Sequence, residues 1–245
     1  TQELSSALEE VQRISRTKSE FISAVSHELR TPLTSIKGYA AILISGKLGQ
    51  IPDKVKERLE KINNHTNNLV GLINNLLDIS RCESGQVKIN YLEHDIPSII
   101  NNVYDLLTPQ LRDKHIHFKT DIAEGLPTVY IDVDQIERVF INILGNALKF
   151  TPPQGTIAVR AFHDDLKVTV EISDTGIGIS PDDLKKLFTE FYRVENEINQ
   201  NVKGTGLGLA LVKKILHAQG GDIWVTSQVG KGTTFHFTIP RGVRE

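Results

Sequence analysis

The sequence predicts an α plus α+β protein: a long helical hairpin, followed by an open mixed sheet with helices on one face. Three observations carry this. Apolar residues recur at steps of three and four from Leu4 to Ile79, which is helical spacing. One turn-prone stretch, SGKLGQIPD (Ser45–Asp53), interrupts that pattern. After Gly85 the period shortens, and β-branched runs alternate with shorter helical ones, as strands and helices do in an α+β domain.

The first helical run places Leu4, Leu8, Val11 and Ile14 on a narrow seam. Such a seam suits a two-stranded coiled coil over residues 1–16, with a frayed terminal helix as the alternative. The pattern continues through Phe21, Val25, Leu29, Pro32, Ile36, Ala40 and Leu43. A second run, opened by Pro52-Asp53, carries Val55, Leu59, Ile62, Leu69, Leu72, Leu76 and Ile79. A single hairpin buries both seams poorly, whereas two copies bury them in a four-helix bundle. Homodimerisation through residues 17–84 is therefore expected.

Downstream, QVKINYL and HIHFKTDI read as strands around the helix IPSIINNVYDLLTPQLRD. DQIERVFINILGNALKF is a strong helix stopped by Thr151-Pro152-Pro153. GTIAVRAF, KVTVEIS, DIWVTS and GTTFHFTI read as strands, and PDDLKKLF and LGLALVKKILHAQG as helices.

The chain has 245 residues, 39% of them hydrophobic, enough for a sizeable core in two domains. Its formal net charge of −2 gives no reason to expect nucleic acid as a partner. Cys82 is the only cysteine, so no internal disulfide forms and a cytoplasmic location is expected. No apolar run approaches the ~20 residues of a membrane span. The sequence starts at Thr1 rather than Met, so a longer parent chain is expected, and any membrane attachment would lie upstream.

Chemistry concentrates in a few stretches. In SAVSHELRTPLTSIKGYAAIL, His27 lies about 190° round the helix from the apolar seam, at roughly 100° per residue, and so faces water. Thr31 follows on nearly the same face, and Glu28 lies close enough to approach the ring. A carboxylate on Nδ1–H would leave Nε2 as a nucleophile. A plain surface histidine beside a surface glutamate fits the same spacing. EISDTGIGIS carries Asp174, Gly176 and Gly178 after a strand, and KGTGLGLALVKK carries Gly204, Gly206 and Gly208 at a helix start. Glycines admit close backbone approach, and a helix N-terminus holds phosphate oxygens, although such turns also serve only as turns. Asn142 and Asn146 share a helix face with Lys149 one turn on. Amide oxygens suit Mg²⁺, and two merely exposed asparagines fit too. LFTEFYRVENEINQNVKGTG is polar enough for a lid, with Arg193 placed to clamp a phosphate.

Taken together and in order, SHELRTPL, NILGNALKF, DTGIGI, LFTEFYR and GTGLGLAL resemble the phospho-acceptor, asparagine, first glycine, phenylalanine and second glycine boxes of sensor histidine kinases. The resemblance implies a dimerisation and phosphotransfer hairpin over 17–84 and an α/β sandwich ATP-binding domain over 85–245. It implies that His27 takes the γ-phosphoryl group of ATP on Nε2, with Glu28 as base or tautomer holder. Thr31 matches the position that orients water for dephosphorylating a response regulator. Asn146, with Asn142, would bind Mg²⁺, and Lys149 would contact phosphates. Asp174, supported by Thr233, would accept from the adenine amino group. Thr205, Gly206, Leu207, Gly208 and Leu209 would line the phosphates. Phe150, Gly176, Gly178, Ile179, Tyr192 and Arg193 complete the implied nucleotide site. The implied partner is a response regulator receiver domain. A gyrase- or chaperone-like ATPase and a non-catalytic nucleotide-binding scaffold are the alternatives.

Overall fold

The computed structural model describes residues 2–84, 88–194 and 204–242. The coiled-coil seam of Leu4, Leu8 and Val11, the linker at 85–87 and the middle of the expected lid (195–203) lie outside the described side chains or residues. Contacts divide the chain into two units, Thr1–Val87 and Lys88–Glu245.

The first unit is an antiparallel pair of helices, α1 (Gln2–Ile44) and α2 (Asp53–Glu83). The face of α1 turned to α2 is built from small residues: Ser19, Ser26 and Ala40 are only 6, 3 and 3% exposed. Opposite them Thr66, Ile73 and Leu77 are buried. Ser19 Oγ donates to Ser80 O at 3.1 Å and Arg30 to Asn74 Oδ1 at 2.8 Å. Several of the larger apolar residues are left uncovered. Phe21, Val25, Leu29 and Ile36 are 68, 38, 47 and 44% exposed, and Val55, Ile62 and Leu69 on α2 are similarly bare. Helix α1 runs unbroken through Pro32, which lacks the N–H that would bond the carbonyl of Glu28.

The second unit contains β1 (Leu92–His94), α3 (Ile96–Asp113), β2 (His117–Ile122), β3 (Val129–Ile131), α4 (Val133–Phe150), β4 (Thr156–His163) and β5 (Lys167–Asp174). It continues with α5 (Pro181–Leu184), α6 (Gly208–Ala218), β6 (Asp222–Gln228) and β7 (Gly232–Pro240). Strands β1 and β3 pair antiparallel; the main sheet has the order β2-β4-β5-β7-β6, parallel only between β2 and β4. Its inner face is Ile157, Val159 and Ala161 of β4, Val168, Val170 and Ile172 of β5, and Phe235, Phe237 and Ile239 of β7, all buried. Helix α4 supplies Ile136, Val139, Phe140, Ile143, Leu144 and Ala147 at helical spacing, and the rings of Phe140 and Phe237 meet edge-on at 5.3 Å. Its N-terminus is capped by Asp132, whose carboxylate accepts from Gln135 N. The outer face carries a polar row in direct register across five strands: Asp121, Arg160, Glu171, His236 and Trp224. Arg160 bonds both Asp121 and Glu171, Glu171 accepts from His236 Nδ1, and His236 stacks on Trp224.

Two expectations are corrected. Of the described residues of the expected strand QVKINYL only Leu92 is in a strand, and Lys88–Tyr91 forms none; Gln86 and Val87 lie outside the described residues. Asn90 N–H is taken by the Asp132 carboxylate at 3.1 Å instead of by a neighbouring strand. The helix expected over PDDLKKLF closes after Leu184. Lys186 N bonds Asp183 O and Leu187 N bonds Leu184 O, the i→i+3 pattern of tightened turns.

Candidate active site

His27 is exposed on α1, between buried Ser26 and exposed Glu28. Thr31 is exposed as well, and its hydroxyl turns back to His27 O at 3.4 Å. Among the described residues no hydrogen bond joins Glu28 to the exposed His27 ring.

In the second unit the polar groups converge on α4 and the start of α6. Asn142 donates through Nδ2 to Arg138 O at 2.7 Å, a bond within its own helix. That bond holds Oδ1 against Gly208: a β-carbon there would lie 2.6 Å from it. The last turn of α4 is held by Lys114, whose ammonium donates to Leu148 O at 2.7 Å and Lys149 O at 3.1 Å. A cation on these carbonyls complements the negative end of the helix. Lys149 Nζ lies 5.6 Å from the Phe150 ring centre. Burial, and then the nearby Arg193 guanidinium, holds the Lys149 ammonium below the ordinary lysine range.

Helix α6 opens without a side-chain cap at Leu207, so its first N–H groups, including those of Gly208 and Leu209, point out of the helix. Thr205 Oγ1 accepts from Leu207 N at 3.2 Å. Gly206, at φ +73°, lies so close to Phe191 that a β-carbon would meet its backbone at 2.6 Å, and Phe191 N donates to Gly206 O. A β-carbon on Gly204 would be 3.1 Å from Lys149 Nζ and 3.9 Å from Arg193 Nε. Open N–H groups, two cations and an amide oxygen thus surround one place, a set suited to a polyphosphate. Tyr192, expected beside the nucleotide, gives its hydroxyl to Asp183 at 2.6 Å, and Ser180 bonds the other carboxylate oxygen.

Asp174 ends β5 directly opposite Thr233 on β7, so both side chains leave the same face of the sheet. Its carboxylate accepts from Gly176 N at 2.8 Å and from the backbone of Thr233. Burial nevertheless dominates and pushes the Asp174 carboxyl above its ordinary range. Gly176 is tight against Phe150 O, and Gly178, at φ +70°, against Gln228 O. Ile179 N donates to Ser227 Oγ at 2.8 Å, fastening the glycine turn to β6.

Among the described residues no three His, Cys, Asp or Glu side chains form a metal cluster. The oxygens that could serve a cation here are the amides of Asn142 and Asn146. Lys114, Asp183 and Ser227 escaped the sequence reading. Lys114 and Ser227 act through bonds to segments distant in sequence, and Asp183 through a bond to Tyr192 nine residues on, none of which periodicity and spacing report. The glycine-rich context of Ser227 was the only available hint.

The comparisons agree with this geometry. Residues 17–85 match the His Kinase A (phospho-acceptor) domain, and residues 131–243 match the histidine kinase-, DNA gyrase B-, and HSP90-like ATPase family. The circadian input-output histidine kinase CikA of Synechococcus elongatus is 34% identical over 242 residues, 98% of this chain and 32% of that protein. The chain thus spans about a third of the length of that relative. Full-length ShkA in complex with AMPPNP superposes with a TM-score of 0.79 at 27% identity, over 92% of this chain and 46% of that one. The histidine kinase ThkA in complex with the response regulator protein TrrA superposes with a TM-score of 0.67 at 26% identity, over 98% of this chain and 67% of that one. Among the described residues no helix is long and apolar enough to cross a membrane. With a phospho-acceptor domain followed by an ATPase domain of this type, the chain belongs to the sensor histidine kinases.

Proposed function

We propose that the chain autophosphorylates His27 from ATP and passes the phosphoryl group to an aspartate of a response regulator receiver domain. The observation that carries this is the exposure of His27, between buried Ser26 and exposed Glu28, in a chain that also holds a cradle of helix N–H groups and cations. Phosphoryl transfer asks for alignment and charge neutralisation rather than covalent help from the protein. Gly208 and Leu209 offer N–H groups to the phosphates, and Lys149 and Arg193 offer charge. Asp174 with Thr233 receives the adenine edge. Asn146, with the oxygen of Asn142, would hold Mg²⁺, which when bound shields the phosphate oxygens. Glu28 accepts from Nδ1–H during attack by Nε2. Thr31 would position water for the reverse traffic, removal of phosphate from the partner. Transfer requires an encounter between the two units, within one chain or between two.

The bare stripe of Phe21, Val25, Leu29 and Ile36 is covered, in this reading, by a second copy of the hairpin. The ThkA–TrrA complex supports a receiver domain as the partner. Incubation with γ-labelled ATP and Mg²⁺ tests the reading. Acid-labile label on the wild type and none on His27→Ala is expected; unchanged labelling of that variant overturns it. Leu29→Asp should convert a dimer into monomers in sedimentation.

A further inference from the structure

Beside Asp174 stands a hydroxyl pair, Thr233 and Ser227, of which Ser227 has no part in the transfer chemistry proposed above. Ser227 on β6 lies directly opposite Thr233 on β7, which lies directly opposite Asp174 on β5. The three side chains therefore form one row on the same face of the sheet. Ser227 Oγ has three neighbours: Ile179 N at 2.8 Å, Gly232 O at 2.8 Å and Thr233 Oγ1 at 2.9 Å.

A serine hydroxyl has one proton to give and two lone pairs to receive with. Gly232 O is a carbonyl and can only accept, so the Ser227 proton goes there. Ile179 N–H can only donate, so it fills one lone pair. The remaining lone pair faces Thr233 Oγ1, and the proton in that contact has to come from Thr233. Each atom in the cluster then has one role and no conflict remains. As a consequence the Thr233 hydroxyl has no proton left for a ligand, and beside Asp174 it presents lone pairs only.

We propose that Ser227 is a positioning residue for nucleobase selection: by taking the Thr233 proton it makes the Asp174–Thr233 pair an acceptor-only edge, which admits a base carrying an amino group and rejects one carrying a carbonyl. The inference rests on the nucleotide site proposed above. It adds the device that sets the polarity of that site and names the residue that does so. A polar site discriminates through the group left unpaired by the wrong ligand, and a base carbonyl here would face lone pairs from both residues.

Calorimetric titration of the full chain with ADP and with IDP, whose base carries an oxygen in place of the amino group, tests it. The wild type should bind ADP and prefer it to IDP. In Ser227→Ala the Thr233 proton is released, and the preference should narrow by about three- to tenfold, the size of one neutral hydrogen bond. Ser227→Thr, which keeps a hydroxyl, should restore it. Equal weakening of both nucleotides in Ser227→Ala, or an unchanged ratio, would reduce Ser227 to a structural strut and overturn the inference. Should Ser227→Ala not fold, Ser227→Cys carries the same expectation, because a thiol fills the space but hydrogen-bonds weakly. A wild type that binds neither nucleotide removes the nucleotide site itself, and this inference with it; a wild type that binds ADP isolates the question to Ser227.

Discussion

Asn142 and Gly208 meet where α4 faces the start of α6, and a β-carbon on Gly208 would sit 2.6 Å from Asn142 Oδ1. The obstacle is the tip of a side chain, which can move aside once its bond to Arg138 O yields. Gly208→Ala should therefore fold with a stability within about 1 kcal/mol of wild type. The displaced amide and the added methyl would both intrude on the phosphate cradle, so ADP affinity should fall about tenfold or more. Calorimetry and thermal melts on the same preparation separate the two effects.

Gly232 contrasts with it. It sits at φ +116°, and a β-carbon would lie 1.9 Å from Asp174 O. Here the obstacle is backbone within the β5–β7 ladder, and the φ value is itself unfavourable to side chains. Gly232→Ala should cost on the order of 3 kcal/mol or more in urea unfolding of the second unit.

The Asp174 carboxyl titrates above its ordinary range because burial outweighs its two backbone bonds. The folded state thus keeps its proton to higher pH than the unfolded chain does. The stability due to this group is complete below the unfolded pKa and is lost as the pH rises through the folded one. Asp174→Asn should then melt no lower than wild type at neutral pH, with any advantage vanishing toward about pH 4. It should also lose ADP binding. A variant less stable at neutral pH would contradict this.

Lys149 is held below its ordinary range by burial and by Arg193. A polyphosphate beside it would favour the ammonium and raise that pKa. Nucleotide binding should therefore take up protons at alkaline pH, where Lys149 begins to deprotonate before nucleotide is added, and much less near neutrality. Calorimetry in buffers of different ionisation enthalpy measures this uptake. Lys149→Met should abolish it and weaken binding.

The sequence made the large pattern readable because large apolar residues and glycines announce themselves. Helices α3, α4 and α6 and strands β2 and β4–β7 follow directly from such runs. Of the contact face within the hairpin Ala40 stood in the apolar seam, whereas Ser19 and Ser26 did not announce themselves, because a serine carries little hydrophobic signal. Strand β3 is three residues long and too short to show a period. At the site, the outward histidine and the glycine turns were legible as spacing. The bonds that aim them were not: Lys114 on the end of α4, Tyr192 on Asp183 and Ser227 on Ile179 join residues 34 to 35, 9 and 48 positions apart. Each depends on topology before it depends on residue type.

Pro32 leaves one rung missing from the ladder of α1, at the carbonyl of Glu28. A rod of 43 residues with one absent rung is softest to flexing at that joint. The joint lies within a single turn of His27, so torque applied from the Gln2 end would re-aim the imidazole while the turns toward Ile44 stay in place.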